Sequence, residues 1–203
     1  DRDGDGRVDT EFAIVRTGNY INYGFGGFVY QRNESVVLPT EGQAAYEGSY
    51  AGLVDANDSG GLSYVRGDME MFIDFGGFLP NCTTVACGDA VRGEVTNRQY
   101  FDLAGNDITS NVLAAGAADD GPALTSVPAL VFDVGFGVSD ANGEITGSVT
   151  SSVDGTAYES GTYYALLSGD HTAGDGGQVV GILVVTREQT RETGGFILDR
   201  QQP

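Results

Sequence analysis

The chain has 203 residues, 40% of them apolar, which suits one domain with an appendage or two small domains. Its 29 acidic residues outnumber ten basic ones, all of them arginine, and the formal net charge is −19. This charge repels phosphate backbones and anionic lipid headgroups, so we predict no nucleic-acid partner, and no apolar run approaches the ~18 residues of a membrane span. The absence of lysine excludes P-loop and Schiff-base chemistry. The acidity favours solubility in a salty medium, with attraction of divalent cations or of a basic protein as the alternative.

Residues 1–11 form an acidic, glycine-punctuated segment that resembles a calcium-binding loop of the EF-hand or dockerin type. Carboxylates alternate along it around Gly6, an arrangement that can supply the six to eight oxygen ligands of calcium. The candidate calcium ligands are Asp1, Asp3, Asp5, Arg7 through its carbonyl, Asp9 and Glu11. Phe12 stands where the last ligand of such a loop belongs, and no flanking helix is predicted, so a solvated acidic linker is the alternative.

Residues 12–40 form an arm rich in aromatic residues and glycine that ends at Leu38-Pro39-Thr40. Proline disfavours both helix and central strand, so we predict a boundary between an N-terminal arm, 1–40, and a barrel domain, 41–203. Tyr20 and Tyr23 belong to an aromatic stretch that could serve as a binding platform. Packing across the barrel is the alternative for these rings.

From residue 44 onward, apolar residues alternate with polar ones, which is typical of β-strands with one buried face. In one such segment Met69, Met71, Ile73 and Phe75 share a face. The predicted strands lie near 44–54, 68–76, 90–101, 129–138, 144–153, 156–168, 178–187 and 194–200. Residues 102–128 are rich in Ala, Gly and Asp and predict a long loop or a short helix.

Glycine-containing turns such as Asn142-Gly143 and Asp154-Gly155 separate these strands, as hairpins require. Eight consecutive strands joined mainly by hairpins predict an all-β fold, an eight-stranded antiparallel up-and-down barrel, with a sandwich as the alternative. A barrel of this size is filled by its own side chains, so we assume no internal ligand cavity.

The two cysteines, Cys82 and Cys87, flank a short polar loop between strand-like segments. We predict a disulfide between them, with free thiols as the alternative, and from it an exported protein. A metal site built on these cysteines would need further Cys or His ligands, and His171 is the single histidine of the sequence.

Residues 42–200 resemble the C-terminal barrel of the transferrin-binding protein B-like surface lipoproteins. The segments that carry the resemblance are Gly42-Gln43-Ala44-Ala45-Tyr46-Glu47-Gly48, Ile73-Asp74-Phe75, Val91-Arg92-Gly93-Glu94-Val95, Val179-Val180-Gly181-Ile182 and Gly194-Gly195-Phe196. The resemblance implies a surface-exposed or secreted barrel of a Gram-negative bacterium. The family includes iron-scavenging receptors, haem-binding secreted proteins and complement-regulator binders. Their binding residues lie on variable loops, so none of them is carried over to this chain.

Residues suited to catalysis are few. His171 lies in a predicted hairpin loop, and no Gly-x-Ser-x-Gly motif occurs, so we expect this histidine to be solvated, with haem or metal ligation as the alternative. Asp74 and Asp133 are expected to point outwards from their strands, because each occupies the face opposite the apolar set. These observations predict a protein that is not an enzyme.

Two functions fit the sequence. The first is a secreted or cell-surface binding module whose loops capture a host or nutrient protein, haem or another ligand. The second is a self-assembling structural subunit of a surface layer or extracellular filament, with calcium as a candidate requirement. In that hypothesis the aromatic arm docks on a neighbouring chain by strand addition. A hydrolase is a third hypothesis with the poorest support.

Overall fold

A computed structural model describes residues 6–17, 22–58, 60–78, 90–118, 123–132, 142–174 and 176–202. Its strands are β1 (Thr10–Arg16), β2 (Gly26–Arg32), β3 (Val36–Val37), β4 (Gln43–Ala56), β5 (Leu62–Asp74), β6 (Val91–Phe101), β7 (Leu130–Phe132), β8 (Glu144–Val153), β9 (Thr156–Asp170), β10 (Gln178–Arg187) and β11 (Thr190–Arg200). The helix α1 spans Thr109–Ala118, and a short 3-10 helix spans Phe75–Phe78. Within these residues no helix is long and apolar enough to cross a bilayer.

Strands β4 to β11 form an eight-stranded antiparallel barrel. Each strand pairs with the next one in sequence, β11 pairs with β4, and the ring is thereby closed. The predicted up-and-down barrel is therefore confirmed, and β3 adds a short parallel pairing to the end of β9. The segment 102–128 contains α1, as the short-helix alternative predicted. Of the predicted strand 129–138 the structure describes only β7, and Asp133 lies outside the described residues.

The barrel interior is a packed apolar core, as the alternation in the sequence predicts. Met69, Met71, Ile73 and Phe75 are all buried in it. Aromatic rings are accommodated by strand glycines: a Cβ on Gly147 would lie only 2.7 Å from the ring of Tyr163. The interior is consequently filled along most of its length by its own side chains.

The N-terminal arm folds back on its own barrel. Strands β1 and β2 pair with each other and pack across the outside of β10 and β11. Phe12 lies against Gly195, where an added Cβ would come within 2.5 Å of the ring. Val180 and Ile182 face outwards, since their neighbours Val179 and Leu183 belong to the interior core, yet the hairpin leaves them fully buried. The hypothesis of an arm docked on a neighbouring chain is not confirmed, and the domain boundary near Pro39 stays a prediction.

Candidate functional site

Helix α1 covers one end of the barrel, which we call the mouth. The mouth is formed by the hairpins β4–β5, β8–β9 and β10–β11 together with the end of β6. Hydrogen bonds fix the start of α1 to β6: Ile108 N donates to the carbonyl of Tyr100 at 2.8 Å, and Tyr100 N donates to Thr109 Oγ1 at 2.9 Å. Asp107 caps the helix, since its Oδ1 accepts from Thr109 N at 2.8 Å. Hydrogen bonds from the side chain and the backbone N of Thr109 lower the pKa of Asp107.

An irregularity in β6 directs a charged residue into the barrel near the mouth. In β6, simple alternation after the inward-facing Val95 would place Asn97 inside, but a bulge opposite Gly67 shifts the register. Asn97 takes a positive φ of 51°, and Arg98 points inwards instead. Glu159 of β9 needs no such shift, because simple alternation places it on the same inward face as Tyr163 and Ala165.

These residues form a buried ionic cluster, which consists of Arg98, Glu159, Glu192, Tyr50, Tyr100 and Ser151. The Arg98 guanidinium binds Glu159 through two hydrogen bonds, of 2.7 and 2.8 Å, and donates to Glu192 Oε2 at 2.7 Å. It also donates to the Pro128 carbonyl at 3.0 Å, which ties the segment before β7 to the cluster. One buried arginine of β6 thus links β9, β11 and the segment that precedes β7.

Neutral hydroxyl groups complete the cluster. Tyr50 donates to Glu192 Oε1 at 2.6 Å, Tyr100 donates to Glu192 Oε2 at 3.1 Å, and Ser151 donates to Glu159 Oε2 at 2.7 Å. Each carboxylate therefore accepts from the guanidinium and from at least one hydroxyl group. This is the arrangement that makes buried charge tolerable, because each ion keeps partners in place of water.

The cluster contains two carboxylates and one guanidinium, so its formal charge is −1. Burial opposes ionisation of Glu159, but the hydrogen bonds and charge of Arg98 outweigh burial and lower the pKa of this carboxyl group. Burial also disfavours the charged form of Arg98, yet the two glutamates raise its pKa well above the usual value. Burial raises the pKa of Tyr50 and Tyr100, so both phenols stay neutral donors.

A cavity of about 470 Å³ lies between α1 and the cluster, open to solvent on one side. Tyr100 and Glu159 form its floor, and Val54, Leu113 and Val127 contribute apolar walls. At the rim the Arg187 guanidinium lies 3.9 Å from the ring centroid of Tyr158 and donates to its hydroxyl group. The site can therefore hold a small molecule with an apolar body above a hydrogen-bonding, charged floor.

Several predicted site residues lie outside the described residues, namely Asp1, Asp3, Asp5, Tyr20, Cys82 and Cys87. Of the calcium candidates that are described, Asp9 is buried and its carbonyl accepts from Asn33 N at 2.8 Å. Glu11 accepts from Gln31 Nε2 at 2.5 Å across the β1–β2 pair, and Arg7 is exposed. In the described part of the chain no three His, Cys, Asp or Glu side chains gather as a metal site would need. Calcium binding and the disulfide stay predictions.

His171 is buried, so the expectation of a solvated loop histidine is wrong. It lies at the end of the barrel opposite the mouth, where Tyr46 Oη and His171 Nδ1 share a hydrogen bond of 2.6 Å. Gly177 packs flat on the imidazole, since an added Cβ would lie 2.5 Å from the ring. This packing occurs because the β9–β10 loop folds over the barrel end. Ligation of haem or of a metal by His171, the alternative to a solvated histidine, is not tested by this arrangement.

Tyr23 lies on the outside of the barrel, apart from both His171 and the mouth floor. Its ring stacks on the Arg191 guanidinium, 4.4 Å from the centroid. Arg191 and Arg16 each approach Asp55 at 3.4 Å, so Tyr23 belongs to a contact that fastens the β1–β2 hairpin to the barrel. Packing on the barrel thus accounts for this tyrosine.

The ionic cluster and the mouth cavity were missed at the sequence level. One signal was available: in β6 the inward positions run Val91, Gly93 and Val95, and the pattern then breaks at Arg98 and Tyr100. A break of this kind marks a bulge, and a charged residue just after it is a candidate for the interior.

Comparison with known proteins finds similarity among solved structures only; no family model matches, and neither does any curated protein. Intact Ap-TbpB with its N and C lobes aligns at 12% identity and TM-score 0.48, covering 97% of this chain and 34% of that one. The chain thus spans about a third of that protein's length. A surface lipoprotein aligns at 12% identity and TM-score 0.48, covering 96% of this chain and 77% of that one. A point mutant of the vaccine antigen transferrin binding protein B from Actinobacillus pleuropneumoniae H49 aligns at 11% identity and TM-score 0.48, covering 97% of this chain and 78% of that one. The solved structures similar to this chain thus include the proteins that its sequence resembles.

Proposed function

We propose that this chain is a non-catalytic binding module, secreted or exposed on the outer surface of a Gram-negative bacterium, that holds its ligand at the mouth of the barrel. The observation that carries the proposal is the cavity of about 470 Å³ beneath α1, which combines apolar walls with the charged floor of Glu159. Cavities of this size and composition accommodate small molecules. The surrounding hairpin loops offer a partner protein additional contacts at the same end.

The chemistry of the mouth favours binding over catalysis. Ser151 donates its hydroxyl hydrogen to Glu159, and both oxygens of that carboxylate also accept from Arg98. A serine nucleophile would need a base held free to take its proton, and Glu159 is occupied by the guanidinium. The single histidine, His171, lies at the opposite end of the barrel. The location at the cell surface is supported by the sequence resemblance and by the acidic, lysine-free composition.

Filling the cavity is expected to abolish ligand binding. Leu113 lines the cavity from α1, so Leu113→Trp places an indole in the binding space. We expect this variant to lose at least tenfold in affinity for Nile red, a neutral probe of apolar cavities, measured by fluorescence titration. The matched control is Leu103→Trp, in the exposed turn after β6, which should bind as the unmodified chain does. Equal binding by both variants would place the ligand elsewhere.

Self-assembly remains the second candidate because the outer face of the hairpin is apolar. Val15, Phe25 and Val29 are 66%, 80% and 55% exposed there. Under the binding-module proposal, light scattering after size exclusion should give a monomer at every concentration, in calcium and in chelator alike. Growth into larger species in calcium, suppressed by Val29→Ser, would favour the structural subunit and a calcium-binding role for the acidic N-terminal segment.

A further inference from the structure

We propose that the mouth cavity selects small organic cations, molecules that carry an ammonium or guanidinium group on an apolar body. This inference rests on the proposed function, because it names the ligand class of the same site. It comes from three features of the cavity, namely the charge of its floor, the free acceptor capacity of Glu159 and the apolar walls.

The buried cluster at the floor of the cavity has a formal excess of one negative charge. Glu159 and Glu192 face a single guanidinium, that of Arg98, and all three side chains are almost completely buried. Charge in such surroundings is poorly screened, so it acts strongly on any charged group that enters the cavity. An anionic ligand would be repelled from the floor, whereas a cation that replaces its water shell with this carboxylate is attracted.

The carboxylate that reaches the cavity can accept a further hydrogen bond. Glu159 Oε2 accepts from Arg98 Nη1 and from Ser151, both at 2.7 Å. Glu159 Oε1 accepts from Arg98 Nη2 at 2.8 Å, and one of its two lone pairs is left for a donor from the cavity side. An ammonium or guanidinium group donates to a carboxylate more strongly than a neutral hydroxyl group does.

The other charged residues of the cavity lining are compensated locally. Arg187 at the rim stacks on Tyr158 and lies 3.9 Å from Glu188. Asp55 is held by two arginines of the hairpin contact on the outer face. The Arg187–Glu188 pair is therefore neutral, the Asp55 contact has a net charge of +1 on the outer face, and the excess negative charge of the site lies on its floor.

Apolar walls distinguish an organic cation from a metal ion. Val54, Leu113 and Val127 offer carbon atoms that a bare metal ion cannot use. A ligand with an alkyl or aryl body gains from burial against them while its charged group reaches Glu159. The cavity volume of about 470 Å³ is large enough for both the apolar body and the charged group of such a ligand.

The test compares three ligands of equal length, hexylamine, hexanol and hexanoate, by calorimetric titration at pH 7 and by displacement of Nile red. We expect hexylamine to bind at least tenfold more tightly than hexanol, and hexanoate to bind most weakly. Glu159→Gln should bring the affinities for hexylamine and hexanol together. Because this variant changes a buried residue, a second measurement uses the unmodified chain: hexylamine should still bind more tightly than hexanol at high salt, because salt screens the net charge of −19 but not the buried floor, and loss of the preference would overturn the proposal.

The outcomes separate the two proposals. Equal affinities for the three ligands, each displaced by filling the cavity with Leu113→Trp, would overturn cation selection and leave the binding site in place. Absence of binding by all three ligands and by Nile red would overturn the proposed function as well. Tighter binding of hexanoate than of hexylamine would show that Arg187, rather than the floor, decides the charge of the ligand.

Discussion

Replacing Arg98 by alanine is expected to lower the free energy of unfolding by about 3–5 kcal/mol, the cost of leaving buried charges without their partner. Glu159 and Glu192 would remain inside the barrel without the guanidinium that both bind. Chemical denaturation followed by circular dichroism measures the effect. Arg66→Ala is the control, because Arg66 is exposed and stacks 5.4 Å from the centroid of Phe101, a contact worth about 0.5–1 kcal/mol. A loss for Arg98→Ala no larger than that of the control would contradict the burial argument.

The pH dependence of the same variant provides an independent check. In the unmodified chain the pKa of Glu159 is lowered, so its stabilisation is present above the unfolded-state pKa and is lost as the pH falls through the folded value. Without Arg98, only the Ser151 hydrogen bond and the charge of Arg187 still oppose the effect of burial, so the pKa of Glu159 is higher than in the unmodified chain and this carboxyl group takes up a proton more readily when folded. The stability deficit of Arg98→Ala should therefore shrink as the pH falls from 7 to 4. A deficit that stays constant over this range would mean that lost packing, not charge, causes it.

Gly194→Ala is expected to destabilise the barrel by about 3 kcal/mol or more, from overpacking and the loss of a buried hydrogen bond. Gly194 faces inwards against Tyr50, and an added Cβ would overlap the phenol oxygen. The ring must move, and Glu192 Oε1 then loses its donor. Thermal or urea unfolding measures the resulting change in the free energy of unfolding of the whole barrel.

The next residue in β11 provides the matched control for Gly194→Ala. Gly195 faces outwards against Phe12 of the β1–β2 hairpin, and an added Cβ would lie 2.5 Å from that ring. Gly195→Ala is expected to loosen the hairpin, seen as faster amide exchange in residues 10–32, with little change in global stability. Similar global losses for both variants would mean that the hairpin and the barrel unfold as one unit.

The period-two pattern in the sequence predicted the barrel well, because one face of every strand is buried and the other is not. Strand β8 begins and ends where the alternation predicts, at Glu144 and Val153, and β10 likewise spans Gln178–Arg187. The turns at Asn142-Gly143 and Asp154-Gly155 have the positive φ angles that hairpin turns require, since Gly143 and Gly155 lie at 72° and 78°.

The candidate site could not be predicted in the same way, because it depends on one departure from that pattern and on the closure of the sheet. The bulge at Asn97 decides that Arg98, and not a neighbour, enters the interior. Glu159 and Glu192 meet Arg98 only because the sheet closes, which brings β6, β9 and β11 around one space. The burial of His171 against Tyr46 was also not predicted, because it comes from tertiary contacts that local sequence does not encode.

The pairing of β11 with β4 has a consequence for the kinetics of folding. Every other pairing of the barrel joins strands that are neighbours in sequence, and the longest connection among them is the segment 102–129 between β6 and β7. The β4–β11 seam joins Tyr46 to Arg200 and Ala56 to Thr190, so almost the whole domain lies in the loop that it closes. Closing so long a loop is entropically costly, and closure of the seam is therefore expected to be the slow, late step. Until then β4 and β11 expose unpaired edges, and the repulsion that follows from the net charge of −19 is expected to oppose pairing between two such intermediates.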